Sequence, residues 1–324
     1  MRIGIVIPAR DAAPWIAEAV ASVLAQGHQG WRLAVVDDGS TDATAELVAH
    51  FTDPRIQLMS QQSAGVSAAR NRGCAALAAD ALLFLDADDW LGEDALARLA
   101  EALAARPEAV AASGTCGFVP EDASFGDAPA RLLRPPGGDI LERLLERNLF
   151  ANGGHVLVRA DAARAAGGFR PDLAYGEDWE YFIRIALQGP FATAGEPRRP
   201  TLLVRRRGAG TYLRLAADPA SFVPCMEAIF SNPALRARFG PKLDVLRART
   251  EAENAWVIGR ALLAHGLRRE GLARLRHAAA AEPSAKRLAL AAGAHLLPAL
   301  GDPYPPRPSS VLRHLGRNIG TRRR

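Results

Sequence analysis

The sequence predicts an α/β fold, a mostly parallel sheet flanked by helices, with a helical C-terminal extension. Three observations predict it. Short apolar runs alternate with helix-patterned segments four times in roughly the first 100 residues, acidic clusters close two of those runs, and beyond about Leu215 the pattern is helical throughout. Such alternation marks βαβ units, in which parallel strands are joined by crossover helices.

The elements follow in order. Ile3 to Ile7 is an apolar run, and Ala13 to Gln26 then places Trp15, Ile16, Ala19, Val20, Val23 and Leu24 at helical spacing. Leu33 to Val36 is the second strand, Thr41 to Phe51 the second helix, Ile56 to Met59 the third strand and Ala64 to Ala79 the third helix. Leu82 to Leu85 is the fourth strand. Residues 121 to 138 read as a Pro- and Gly-rich loop, Asp139 to Asn148 as a helix, Gly154 to Arg159 as a strand and 161 to 169 as a short helix. Gly176 opens a helix to about Leu187 with Trp179, Phe182, Ile183 and Ala186 at core spacing. The expected organisation is 1–214 as an α/β domain, 215–300 as a helical region and 301–324 as a basic Pro-rich tail.

Composition excludes several classes. With 324 residues, of which 49% are hydrophobic, the chain can bury an ordinary core. Cys74, Cys116 and Cys225 are too few and too scattered for a disulfide framework or a zinc site, which points to a reducing compartment. No apolar run reaches the ~18 residues of a membrane span, and the first strand is too short for a secretory segment, so a cytoplasmic protein is expected. The net charge of +5 equals that of the segment from Gly301 onward, leaving 34 basic and 34 acidic residues to cancel before it. A body neutral overall argues against nucleic acid as a partner.

Ligands of parallel sheets bind beyond the carboxyl ends of the strands, and here those ends are acidic. Asp86-Ala87-Asp88 leaves the fourth strand and can hold Mg²⁺ or Mn²⁺ through one or two carboxylates, with water and phosphate completing the shell. The alternative is an acidic cap for a helix beginning near Glu93. Asp37 to Asp42 reads either as a turn whose acid meets a nucleobase or ribose, or as a plain turn with acids at a helix start. Glu177-Asp178 is a candidate general base or a pair of helix N-terminal acids. Arg205 to Arg207 could grip phosphate or lie in solvent. His155 is either an acceptor contact or a satisfied structural histidine.

Taken together, the motifs resemble the family 2 glycosyltransferases of the GT-A (Rossmann-like) fold. The resemblance rests on Val6-Ile7-Pro8-Ala9-Arg10-Asp11, Val35-Val36-Asp37-Asp38-Gly39-Ser40, Ala69-Arg70-Asn71-Arg72-Gly73, Phe84-Leu85-Asp86-Ala87-Asp88-Asp89-Trp90 and, after Gly167-Gly168-Phe169, Glu177-Asp178-Trp179. It covers about residues 1 to 211. It implies a nucleotide-sugar site formed by Pro8, Ala9, Arg10, Asp38, Arg70, Asp86, Ala87 and Asp88, with Asp38 near the base, Arg70 near the donor, and Asp86 and Asp88 on the metal. Asp178 would be the base of an inverting transfer, with Glu177, Trp179 and His155 toward the acceptor. The implied donor is a UDP-, GDP- or dTDP-sugar, the acceptor a saccharide or a lipid-linked sugar, and the setting cell-surface polysaccharide or glycolipid synthesis.

Where such proteins carry an aromatic residue after the first-strand proline, this chain has Ala9, Arg10 and Asp11, and Arg10 could stack in its place. The basic segment ending in Thr211 occupies the position of a flexible lid in related enzymes. A binding module that has lost catalysis is disfavoured by the intact acids, and a nucleotidyltransferase by the lack of a Gly-rich loop after the first strand. Leu288 to Leu300 beside the basic tail reads either as an interfacial helix in peripheral contact with the inner membrane face or as a helix packed on the catalytic domain with a disordered tail beyond it.

Overall fold

A computed structural model describes residues 1–135, 137–196, 198–206, 221–264 and 266–293. β1 (Ile3–Ala9), β2 (Trp31–Asp37), β3 (Ile56–Ser60) and β4 (Ala81–Phe84) alternate with α1 (Ile16–Leu24), α2 (Thr44–Ala49) and α3 (Val66–Ala76). There follow β5 (Trp90–Leu91), α4 (Ala95–Ala104), β6 (Ala111–Ser113), β7 (Cys116–Pro120), β8 (Arg131–Leu133) and α5 (Leu141–Glu146). β9 (Val156–Arg159), α6 (Ala160–Ala166), α7 (Glu177–Ala186), β10 (Phe191–Thr193) and β11 (Leu202–Arg206) complete the α/β part.

Seven strands form the main sheet in the order β10-β6-β9-β4-β1-β2-β3, and only β9 runs antiparallel to its neighbours. All seven residues of β1 are buried, as expected of a central strand covered on both faces. Its side chains alternate between two cores. Ile3, Ile5 and Ile7 join α1 and α4, while Val6 joins a core that contains Phe84, Phe169, Tyr181 and Phe182. Gly73 permits that second packing, since a Cβ there would stand 2.4 Å from Val6 Cγ1.

A second sheet, β5-β11-β7-β8, was not foreseen. Its strands are two to five residues long, too short for alternation to register. β8 lies inside the segment expected to be a loop, paired with β7 at Cys116 to Phe118.

The C-terminal region is helical as expected: α8 (Val223–Phe230), α9 (Pro233–Phe239), α10 (Lys242–Ala264), α11 (Arg268–Ala281) and α12 (Ala285–Gly293). The chain divides into compact units at Glu253/Asn254. The expected boundary at 214, the basic segment to Thr211, the last residues of the apolar stretch and the tail lie outside the described residues. In the second unit, Trp256, Leu263, Leu272, Leu275 and Ala278 form a small core, with Leu290 against it. Gly259 and Gly271 let α10 and α11 approach closely, because a Cβ on either would meet the carbonyl of the other at about 3 Å.

This division changes the electrostatic reading. Residues 1–253 carry 27 basic and 32 acidic side chains, a net −5, and residues 254–324 carry 13 and 3, a net +10. The apparent neutrality of the body is a cancellation between units of opposite sign.

Candidate functional site

The strand order reverses at β1, with β2 and β3 on one side and β4 on the other. Crevices at such switch points bind ligands. Four loops meet there, those following β1, β2, β3 and β4.

The loops after β1 and β2 are tied reciprocally. Asp11 accepts from Thr41 N at 2.8 Å and its own amide donates to Ser40 Oγ at 3.0 Å. Asp42 accepts from Ala13 N at 3.0 Å, and Ala12 N donates to Thr44 Oγ1 at 2.8 Å. Pro8 and Ala9 are buried at the strand end, whereas Arg10 is exposed and donates to Ser63 Oγ. Asp37 caps its turn by accepting from Ser40 N at 3.1 Å.

Asp38 does more than a turn acid. It is 4% exposed and accepts from Gln61 Nε2 at 2.7 Å, Ala64 N at 2.8 Å, Gly65 N at 2.9 Å and Ser63 Oγ at 3.4 Å. Burial opposes its charge, but the Ala64 amide, Gln61, the Gly65 amide and the Arg10 charge outweigh it and hold the carboxyl below the usual range. A carboxylate has about four acceptor positions, and here all serve the loop entering α3.

The segment Arg70-Asn71-Arg72-Gly73 lies on α3. Arg70, 3% exposed, reaches Asp86 Oδ1 at 3.0 Å and Glu177 Oε1 at 2.9 Å, with its guanidinium 5.1 Å from the Phe169 ring. Burial alone would lower its pKa, and the carboxylates Asp86, Glu177 and Asp178 more than reverse that. Asn71 binds both backbone groups of Phe169, at 2.8 and 2.7 Å, and so fixes the turn that leads toward α7.

Asp178 is half-buried in the first turn of α7 and accepts from Trp179 N at 2.6 Å. Burial first, then the neighbouring Glu177 charge, raise its pKa to about 7 despite Arg70. Below this turn, Cys225 of α8 fills the space beside Gly176, where a Cβ would lie 2.5 Å from Sγ.

Asp86 to Asp89 do not cap a helix, for they form a turn before β5, and α4 begins only at Ala95. Asp86 and Asp88 are half-buried. Asp89, 2% exposed, accepts from Asn152 Nδ2 at 2.5 Å and Arg205 N at 2.9 Å. Burial, then Asp88 and Asp86, push its pKa well up. Among the described residues no three His, Cys, Asp or Glu side chains form a ready-made metal cage. The donor set still fits Mn²⁺ or Mg²⁺, which take one or two carboxylates and complete their shell with phosphate and water. A cation would also relieve the repulsion that Asp89 registers.

Three residues whose roles the sequence left open take definite places here. Arg205 is neither solvated nor open to phosphate. It is 6% exposed, donates to Glu121 O at 2.8 Å, Asp88 O at 3.2 Å and Glu18, and lies 4.8 Å from the Trp90 ring. His155 is fully buried, with Nδ1 donating to Gly114 O at 2.9 Å and Nε2 accepting from Ala151 N at 3.3 Å, which leaves no ring nitrogen for an acceptor. Trp179 is a core residue, its Nε1 bonded to Leu144 O at 2.7 Å and its ring stacked on Phe222. The sequence reading missed Asn71, Gln61, Ser63, Asn152 and the structural part of Asp89. Asn71 was within reach, as it adjoins Arg70 in the same motif.

The family model for glycosyl transferase family 2 matches residues 4–165. A UDP-Glc:alpha-D-GlcNAc-diphosphoundecaprenol beta-1,3-glucosyltransferase of Escherichia coli is 36% identical over 91 residues, 28% of this chain and 36% of the relative. The succinoglycan biosynthesis protein ExoO of Rhizobium meliloti is 39% identical over 97 residues, 30% of this chain and 28% of the relative. Matches to such curated relatives span between 13% and 39% of their lengths. Two solved structures share the fold. S. aureus TarS in complex with UDP has TM-score 0.58 at 13% identity, over 91% of both chains. The mannosyltransferase PcManGT of Pyrobaculum calidifontis, in complex with GDP-Man and Mn²⁺, has TM-score 0.57 at 22% identity, over 91% of this chain and 80% of that one.

Proposed function

The chain belongs to glycosyl transferase family 2, and from that premise we propose an inverting transfer of a sugar from a nucleotide-sugar donor to a hydroxyl of a saccharide or lipid-linked acceptor. The observation that carries this reading is the bridge from Arg70 to Asp86 and Glu177, which sets the acids of the β4 turn and those of α7 around one buried cation.

In this reading the donor's nucleotide lies along the ends of β1 and β2. Asp38 acts on it through the loop 61–65 that it fixes, and exposed Arg10 supplies a planar cation to stack on or bond to the nucleotide. Asp86 and Asp88 would hold the divalent ion, which when bound neutralises the diphosphate as it leaves. The carboxylate of Asp178 takes the acceptor hydroxyl proton. The freed oxygen bonds to the anomeric carbon as the bond from that carbon to the diphosphate oxygen breaks, so the configuration inverts. A base near pKa 7 suits this task, and such groups contribute roughly 10²- to 10⁴-fold. Glu177 pairs with Arg70 and keeps that cation beside the base.

The relatives support a choice of substrates. One acts from UDP-Glc on a diphosphoundecaprenol-linked sugar, and the two structural neighbours bind UDP and GDP-Man. The test incubates the purified protein and Mn²⁺ with UDP-, GDP- and dTDP-sugars and with saccharide or polyprenyl-diphosphate-sugar acceptors. Mass spectrometry should find a product that requires the acceptor, and NMR should find an inverted anomeric centre. A nucleotidyl adduct or a retained configuration would refute the proposal.

A further inference from the structure

We propose that the folded C-terminal unit, not only the tail beyond it, docks on a membrane surface of anionic phospholipid. The inference starts from the division at Glu253/Asn254. Among residues 254–293 there are seven basic side chains and two acids, Glu270 and Glu282, a net +5. Another +5 follows in 301–324. The α/β unit carries the opposite sign, so the positive charge is segregated rather than spread.

Within the unit the charge is also concentrated. The cationic groups of Arg260, Lys286 and Arg287 lie 5.8, 6.0 and 5.9 Å from the Trp256 ring, and among the described residues only Arg287 of these three has an acid in contact, Glu282 at 2.9 Å. Arg268 and Arg269 open α11 at its exposed end. Holding like charges together costs free energy that a dense anionic surface returns.

Apolar exposure decides between lipid and nucleic acid. α12 has no buried residue; Leu290 leans on the unit's small core while Leu288 is 53% exposed, beside Lys286 and Arg287. A short helix with exposed leucine among cations fits the bilayer interface, where apolar side chains enter the headgroup boundary and cations meet phosphate. A nucleic-acid surface gains nothing from the leucine. Such docking would bring the enzyme to lipid-linked acceptors, and to that extent it builds on the proposed function, but the binding itself stands without it.

The test uses the full chain and vesicles of phosphatidylcholine with rising fractions of phosphatidylglycerol. Binding should rise with the anionic fraction and fall with salt. Each basic residue near the surface is worth roughly fivefold in partitioning, so Arg269→Gln, Lys286→Gln and Arg260→Gln together should weaken binding by about 10²-fold with the tail intact. Leu288→Gln should remove the part of the binding that survives high salt. Deleting 301–324 should weaken binding without abolishing it. Equal binding to pure phosphatidylcholine, a triple variant that binds like the parent, or tighter binding to duplex DNA than to vesicles at the same salt would each overturn the proposal. Transfer to a soluble saccharide acceptor should be unchanged in all these variants, so failure of docking and failure of the enzymatic reading are separable.

Discussion

Arg70 and Glu177 are 107 residues apart in sequence and 2.9 Å apart in space. Their pairing, with Asp86 on the other side of the guanidinium, joins the two acidic motifs through one side chain that is 3% exposed. Removing one partner of a buried ion pair costs about 3–5 kcal/mol, because the remaining charge stays desolvated. Arg70→Met should therefore lower stability by that amount in urea unfolding at pH 8. The loss should shrink at pH 5, where Asp178, whose pKa is raised to about 7, carries a proton and adds no charge to the cluster left behind. An equal loss at both pH values would mean that packing, not charge, is what Arg70 supplies.

Neighbouring acids of the β4 turn should separate by experiment. Asp88→Asn is expected to leave the fold intact and to abolish transfer, as is chelation of the wild type with EDTA, with activity returning on adding Mn²⁺ or Mg²⁺. Asp89→Ala is expected to act on the fold. It strands Asn152 Nδ2 and the Arg205 amide, and each buried group left unsatisfied costs about 1–3 kcal/mol. Thermal unfolding of both variants checks this. An Asp88→Asn variant as unstable as Asp89→Ala would make the whole turn structural.

Much of this arrangement was legible in the chain. Apolar runs gave β1, β2 and β4 because those strands are buried almost throughout, and the acids that close β2 and β4 marked their crevice-facing ends. Asp89 and Arg205 were not legible, since nothing local distinguishes a carboxylate that faces a ligand from one that accepts from a strand 116 residues away. His155 was ambiguous for the same reason. The second sheet escaped because its strands are too short to carry a period, and the charge split because it depends on where the chain divides into units.

His155 offers a pH test of its buried role. Burial lowers its pKa from 6.5 to about 4, so the folded chain holds it neutral where the unfolded chain would already bind a proton. Stability from this residue is complete above pH 6.5 and is lost as the pH falls toward 4, by roughly 3 kcal/mol in all. Denaturant unfolding between pH 7 and 4 should show that slope, and His155→Gln should flatten it. Acceptor KM should not respond to the substitution beyond its effect on folding. A specific rise in acceptor KM would return His155 to the acceptor site.

Asp178 should show the opposite sign in stability and a separate signature in catalysis. Its raised pKa means that the folded chain favours the protonated carboxyl, so its contribution is fully present below the ordinary carboxylate range. That contribution is lost as the pH rises through about 7. Asp178→Asn keeps the group neutral throughout and should therefore stabilise the protein more at pH 8 than at pH 4. As a general base the same group must be ionised to act. Wild-type kcat/KM should fall about tenfold per pH unit below pH 7, and the Asn variant should lose at least ~10²-fold with no such limb. Donor affinity, followed by calorimetry with the nucleoside diphosphate, should be nearly unchanged, since the group works on the acceptor hydroxyl. If donor affinity collapsed together with turnover, Asp178 would belong to the donor site, and the base would have to be sought elsewhere.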